Sequence, residues 1–285
     1  METLEYVTLI AGIIVLGFVF VLALGAYFTK NALVRTEPGA GPDIAEKRTF
    51  TRVGNFWSIL AALALLLVTV SIVARIISSG RGPFSNMYEF SVAFSWGIIA
   101  VSLFFLRRYR ISIIGAAGFV IALAMLIFAM TLPSRVLPLV PALQQSVLLS
   151  IHVASAIISY GALAVGFSAA VIYLFVHKRR VSWLPRPELL ETISYRTVIV
   201  GFPFLTLTII LGAVWANIAW GRPWGWDPKE TASLVTWLIL AAYLHARVIA
   251  GWRGTRSAWL LVIGFIAVLF TFFGNYIFSG LHSYT

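Results

Sequence analysis

The stretch WANIAWGRPWGWDPKET, Trp215 to Thr231, lies between two long apolar runs and holds four of the ten tryptophans of the chain. It therefore joins two membrane helices. A connection that only turns the chain is short on large rings and rich in Gly, Asn and Ser. This one sets Trp215, Trp220, Trp224 and Trp226 beside Asp227, Lys229 and Glu230. Such a surface suits a flat, apolar ligand with polar edges. A plainer reading stands beside it. Tryptophan is enriched where helix ends meet lipid headgroups. Asp227-Pro228-Lys229-Glu230 is also a good helix start: Asp caps, Pro fits the first helical position and Glu completes a capping box. The density of rings argues for more than a belt. Four in one loop can tile a platform, each contributing on the order of 1 kcal/mol against a planar ligand.

Outward from this stretch, composition sets the class. The chain has 285 residues, 60% hydrophobic and 11% charged, which excludes an ordinary soluble domain. The first apolar run is long enough to span and stay, so no cleavable signal is expected. The net charge of +11 reads as basic loops anchoring the chain in a lipid bilayer, and no nucleic acid partner is expected. There is no cysteine. The chain cannot exchange thiols or offer a metal a thiolate. Metal chemistry falls to His152, His177, His245 and His282, or to a partner.

Apolar runs long enough to cross a bilayer occur at about 4–28, 53–74, 88–106, 111–130, 143–176, 197–216, 232–250 and 259–278. The expected fold is an all-α polytopic bundle of about eight transmembrane helices, one integral membrane domain over 1–285. The segment 30–52 reads as a polar break, because Pro38, Gly39, Gly41 and Pro42 interrupt helix. Sixteen of the 21 Lys and Arg fall at 30–52, 107–110, 177–196 and 247–256. The positive-inside rule puts those loops in the cytoplasm, and both termini and the tryptophan segment outside.

His152 begins the fifth run, and His282 follows the eighth in SGLHSY. Both fall on the tryptophan side. A lone histidine there is usually solvated or satisfied by the core. Two at one level, flanking an aromatic loop, can clamp a haem iron from opposite faces. His245 lies thirteen residues beyond Ala232, about 20 Å below the outer surface, and an ionisable group at that depth is a functional candidate. His177 sits in the charge run HKRR and reads as an anchor. A metal at His245 with two histidines would take its second from another chain.

WANIAWGRPWGWDPKET, with YLHARV, GWRG and the C-terminal GNYIFSGLHSY, resembles the CcsA (ResC) family of cytochrome c biogenesis proteins, the haem-handling WWD-domain membrane proteins of System II. The resemblance covers about 86–284 and is densest after Gly212. It implies that His152 and His282 are axial ligands of a haem b presented outside, against a WWD segment (215–231) carrying Trp215, Trp220, Trp224, Trp226 and Asp227. It implies that His245 ligates a second haem within the membrane, its mate supplied by the membrane partner CcsB (ResB). Pro223 stands where the family commonly has an aromatic residue, which removes one ring from the platform.

The activity so implied is a holocytochrome c synthase (haem lyase) formed with CcsB/ResB in the cell (inner) membrane. Haem passes from the inner to the outer site. There apocytochrome c brings its CxxCH motif, with thiols kept ready by a thioredoxin-like reductant, and thioethers form at the haem vinyl groups. No catalytic side chain beyond the haem ligands is implied. The haem propionates need cations, and Arg222, Lys229, Arg81 and Arg135 outside, with Arg247 near His245, are the candidates. Two other readings compete. A transmembrane di-haem electron-transfer protein would need two complete histidine pairs, and His177 is poorly placed to pair with His245. A transporter or anchor without haem would use the tryptophans only at the interface.

Overall fold

The computed structural model of the chain describes residues 1–36, 42–109, 112–136, 138, 143, 146–178 and 184–278. Eight helices follow one another: α1 Glu2–Thr36, α2 Pro42–Ser79, α3 Met87–Tyr109, α4 Ser112–Met130, α5 Ser146–Val176, α6 Pro187–Trp220, α7 Pro228–Val248 and α8 Thr255–Ile277. All eight contain a segment long and apolar enough to cross a membrane. In hydrocarbon every backbone group must be satisfied within the segment, and helices do this alone.

Three helices run further than hydropathy implies. α1 continues to Thr36 and α2 already begins at Pro42, so the expected polar break at 30–52 is helical on both sides of 37–41, which lie outside the described residues. Lys and Arg are good helix formers and do not end a helix, and Pro42 at the first position suits one. α6 starts at Pro187, ten residues before the sixth apolar run. Its first turns are amphipathic. Leu190 and Ile193 are fully buried against Phe105, Ile114, Val165 and Ala169, and that apolar stripe extends the helix beyond the lipid.

α3 and α5 are the most enclosed helices. α4 packs on both, the α1–α2 hairpin lies against α4 and α3, and α6 and α8 cover α5, with α7 beyond them. α3 and α5 meet at glycine. A Cβ on Gly161 would stand 2.9 Å from the Gly97 carbonyl oxygen, and one on Gly97 would collide with Ile157. Small residues permit this approach where dispersion, rather than water exclusion, holds helices together. Side-chain hydrogen bonds add to it: Trp96 Nε1 donates to Thr69 Oγ1 at 2.8 Å, and Trp237 Nε1 to Thr206 Oγ1 at 2.8 Å.

One end of the bundle carries a buried charge cluster. Glu89, 2% exposed at the start of α3, takes Arg75 Nε at 2.9 Å and Arg81 Nη1 at 3.1 Å. Arg75 at the end of α2 also reaches Glu5 at 3.5 Å and the Ser134 carbonyl at 2.6 Å. Tyr88 donates to Glu5 at 3.0 Å. Two cations face two carboxylates, so the desolvated charges are mutually compensated. The cluster ties α1 and α2 to the start of α3, which the site described next rests upon.

Candidate functional site

The tryptophan segment is built by two helix ends. α6 stops at Gly221, whose φ of +72° lets its N–H turn back to the Asn217 carbonyl. α7 starts with a full capping box. The Asp227 carboxylate accepts from Glu230 N at 2.8 Å, and Glu230 Oε2 accepts from Asp227 N at 3.3 Å and from Gly225 N at 2.7 Å. The expected cap is therefore present, and Glu230 pins the loop as well. Trp226 between them has φ +58°, the left-handed region, and is the one non-glycine residue so placed among the described residues. That conformation turns its ring outward, and it is 69% exposed.

The four tryptophans form two edge-on pairs and not one flat floor. Trp215 meets Trp220 at 4.8 Å and 73°. Trp224 meets Trp226 at 5.8 Å and 86°. Trp215 is 2% exposed and belongs to an aromatic core with Phe94, Phe272, Leu149 and Val153. This core joins α3, α5, α6 and α8 below the loop.

His152 lies on α5 between those last two core residues. Its Nδ1 is 2.8 Å from the Thr208 carbonyl oxygen on α6. The carbonyl can only accept, so Nδ1 bears the proton and Nε2 carries the lone pair. Metal-bound histidines are commonly oriented in this way. Ser155 reinforces the contact, its Oγ 2.8 Å from Thr208 Oγ1. The ring lies on Gly212, where a Cβ would come within 2.9 Å of Cε1. Gly212 precedes Trp215 by about 4.5 Å of helix rise, so one imidazole and the tryptophan core share one patch of α6. Thr208 and Gly212 were not singled out in the sequence. A threonine and a glycine amid the apolar run TLTIILGAV are the signal that points to them.

His282 lies outside the described residues. Phe272 and Phe273, near the end of α8, pack in the Trp215 core. His245 is elsewhere. It sits in the last turn of α7, about 25 Å along the helix from Pro228, and its side chain is exposed on the outside of the bundle. The structure thus joins His152 to the tryptophan segment and leaves His245 apart from both. His177 stacks on Tyr173 at 5.5 Å and bonds the Leu174 carbonyl at 2.8 Å, as an anchor would.

The cations sort themselves by partner. Arg81 is taken by Glu89. Arg247 is taken by Glu191 at 2.7 Å and lies over Tyr195. Arg222 lies along its own loop, its Nε 3.0 Å from the Cβ position of Gly225. Arg135 is exposed after α4. Lys229 points its ammonium at the ring of Phe90 on α3, 5.3 Å from the centroid.

Comparison with known proteins bears on this arrangement directly. The family described as "Cytochrome C assembly protein" matches residues 84–282. That range holds α3 to α8, the tryptophan segment and His152. A "Cytochrome c biogenesis protein CcsA" of Prochlorococcus marinus (strain MIT 9312) is 39% identical over 93% of this chain and 94% of its own length. One from Guillardia theta is 38% identical over 78% of this chain and 83% of its own. The chain belongs to the CcsA family of cytochrome c assembly proteins. Its role is thereby in cytochrome c biogenesis. Among solved structures, "Cytochrome c Heme Lyase CcmF" superposes with a TM-score of 0.64 at 19% identity, over 95% of this chain and 46% of that one. The likeness is one of fold, and the chain spans about half that structure's length. For a CcsA-family member the residues present fit a haem. One imidazole is held through Nδ1 by the Thr208 carbonyl, indoles adjoin it, and the buried Trp224 Nε1 has no protein acceptor among the described residues.

Proposed function

We propose that this chain presents haem b at the outer face of the cell (inner) membrane and supports its covalent attachment to apocytochrome c. It does so as one subunit of a holocytochrome c synthase with CcsB/ResB. The observation that carries this reading is the Nδ1 contact of His152 with the Thr208 carbonyl. It selects the nitrogen that coordinates and fixes the ring on α6, beside the tryptophan core.

His152 and His282 would hold the iron, with Trp224 and Trp226 at the face and edge of the porphyrin and Trp215, Trp220 and Asp227 shaping the loop. Bound haem supplies two vinyl groups. Each CxxCH thiol of the substrate adds across one of them: the S–H bond breaks, a C–S bond forms and the proton goes to the adjacent vinyl carbon, with no net electron transfer. A thioredoxin-like protein would keep those thiols reduced. Holding the reacting groups together lowers the entropic barrier to this addition. His245, on the exposed face of α7, suits an inner haem whose second ligand comes from the partner chain. The predominance of Lys and Arg in the loops at the other end supports placing the tryptophan segment outside.

The test is spectroscopic. The chain is purified with its membrane partner and its absorption recorded. A Soret band that His152→Gly weakens by the share of the outer haem, and that added imidazole restores, is the expected result. A wild-type complex without a Soret band overturns the reading.

A further inference from the structure

The motif GWRG, Gly251 to Gly254, turns the chain from α7 into α8 and takes no part in the site described above. It is a built loop. Both glycines are left-handed, with φ +65° at Gly251 and +69° at Gly254, a conformation that strains other residues. Trp252 N donates to the Ala246 carbonyl at 2.9 Å, and Gly254 N donates to Glu191 Oε1 on α6 at 3.1 Å. The same oxygen takes Arg247 Nη1 at 2.7 Å. Glu191 is thereby committed to the loop backbone and to Arg247.

The loop surrounds an open hollow of about 470 Å³, lined by Ala250, Gly251, Trp252, Arg253, Thr255 and Arg256. Sites for small ligands have about 300–1,000 Å³. Arg253 and Arg256 are both exposed, and among the described residues neither pairs with a carboxylate. The Arg256 guanidinium lies over the Trp252 ring, 5.8 Å from its centroid. A ring face positions a guanidinium and leaves its in-plane N–H donors free. Two such forks match a phosphate, which can accept a pair of N–H bonds from each. α8 begins here with glycine as its cap and no side-chain acceptor, so its first turn adds positive potential.

The rim of the hollow is apolar. Val248 and Ile249 precede it and Trp259 lies one helical turn beyond Arg256, and all three are exposed. Val248 and Trp259 fall at the ends of two segments able to cross a membrane. Acyl chains then lie beside this rim, and headgroups lie at the level of the arginines. A free anion gains nothing from such a rim, whereas a lipid phosphate does. We propose that the α7–α8 loop binds the phosphate of an anionic phospholipid, with Arg253 and Arg256 on the oxyanion and the acyl chains against Val248, Ile249 and Trp259.

The full-length chain in neutral detergent is titrated with phosphatidylglycerol, phosphatidylcholine and inorganic phosphate, and bound lipid is counted by native mass spectrometry. Wild type should hold one phosphatidylglycerol about ten-fold or more tighter than phosphatidylcholine, the value of a charge-assisted hydrogen bond. Equimolar inorganic phosphate should not displace it. Arg253→Gln/Arg256→Gln should lose the preference and keep its phosphatidylcholine affinity and melting midpoint, which shows that it is folded. Arg107→Gln/Arg108→Gln, which removes two cations from the end of α3, should keep the preference. A preference that survives in Arg253→Gln/Arg256→Gln overturns the site, and so does equal binding of the two lipids by wild type. Loss of the preference in both double variants means general charge attraction and overturns it as well. Displacement by equimolar inorganic phosphate assigns the hollow to a soluble anion and overturns the lipid as its occupant.

Discussion

The imidazole of His152 occupies the space that Gly212 leaves open. A Cβ there would stand 2.9 Å from Cε1 and 3.3 Å from Nδ1 of the ring. The first distance is shorter than side chains tolerate, so glycine at 212 and histidine at 152 are parts of one fitting.

Gly212→Ala is expected to push the imidazole off α6 and stretch its bond to the Thr208 carbonyl. Overpacking of this kind costs about 1–3 kcal/mol, which a bundle of this size survives. Cytochrome c maturation should fall sharply while the protein still accumulates in the membrane. Yield of covalent cytochrome c, scored against the amount of membrane-inserted chain, is the measurement. Wild-type yield in Gly212→Ala would show that the contact is idle.

The cap of α7 predicts an ordered pair of losses. Asp227→Ala removes one acceptor and should cost about 1 kcal/mol. Glu230→Ala strands two loop N–H groups, those of Gly225 and Asp227, and should cost more. Thermal unfolding in detergent reads both. A larger effect at Asp227 would contradict the geometry of the loop.

The buried cluster around Glu89 predicts non-additivity. Glu89→Leu leaves Arg81 without its carboxylate and Arg75 with Glu5 alone, and Arg75→Leu leaves Glu5 without its cation, so each should cost about 3–5 kcal/mol. The double replacement loses the Arg75–Glu89 contact only once and should cost less than the two singles summed. A denaturant double-mutant cycle gives the coupling, and strict additivity would mean that the pair is not coupled.

His245 predicts a separation of stability from function. Its side chain is exposed, so His245→Ala should leave the melting midpoint within the range of a neutral surface change, about 0.5 kcal/mol. In the complex with the membrane partner it should lower haem content, and imidazole should return it. Unchanged haem content would remove His245 from the ligands.

Much of this architecture is legible in the sequence, for physical reasons. A bilayer imposes length and apolarity on every crossing, so eight runs stand out without any alignment. The start of α7 is legible because capping chemistry is local to Asp227 and Glu230. What hydropathy cannot separate is an apolar face turned to lipid from one turned to another helix, since both are equally greasy. Trp215 and Trp226 therefore look alike in the sequence, although one lies in the core and the other is exposed. The start of α6 is missed for a related reason. Leu190 and Ile193 are too sparse to form an apolar run, yet they are fully buried. The allegiance of each arginine is also hidden, because Arg75 and Glu89 meet only when α2 and α3 pack. The contact of His152 with Thr208 spans 56 residues and leaves no trace in spacing.

The meeting of Arg75 with Glu89 has a bearing on how the chain enters the bilayer. Arg75 is synthesised fourteen residues ahead of Glu89, and Glu5 earlier still. The nascent hairpin of α1 and α2 arrives with a guanidinium held only by a carboxylate 3.5 Å away, and its neutralisation is complete only when α3 follows. The hairpin precedes the stretch shared with the family at 84–282, so its final seating awaits the first helix of that stretch. Translation order and charge placement together make α3 the keystone of insertion.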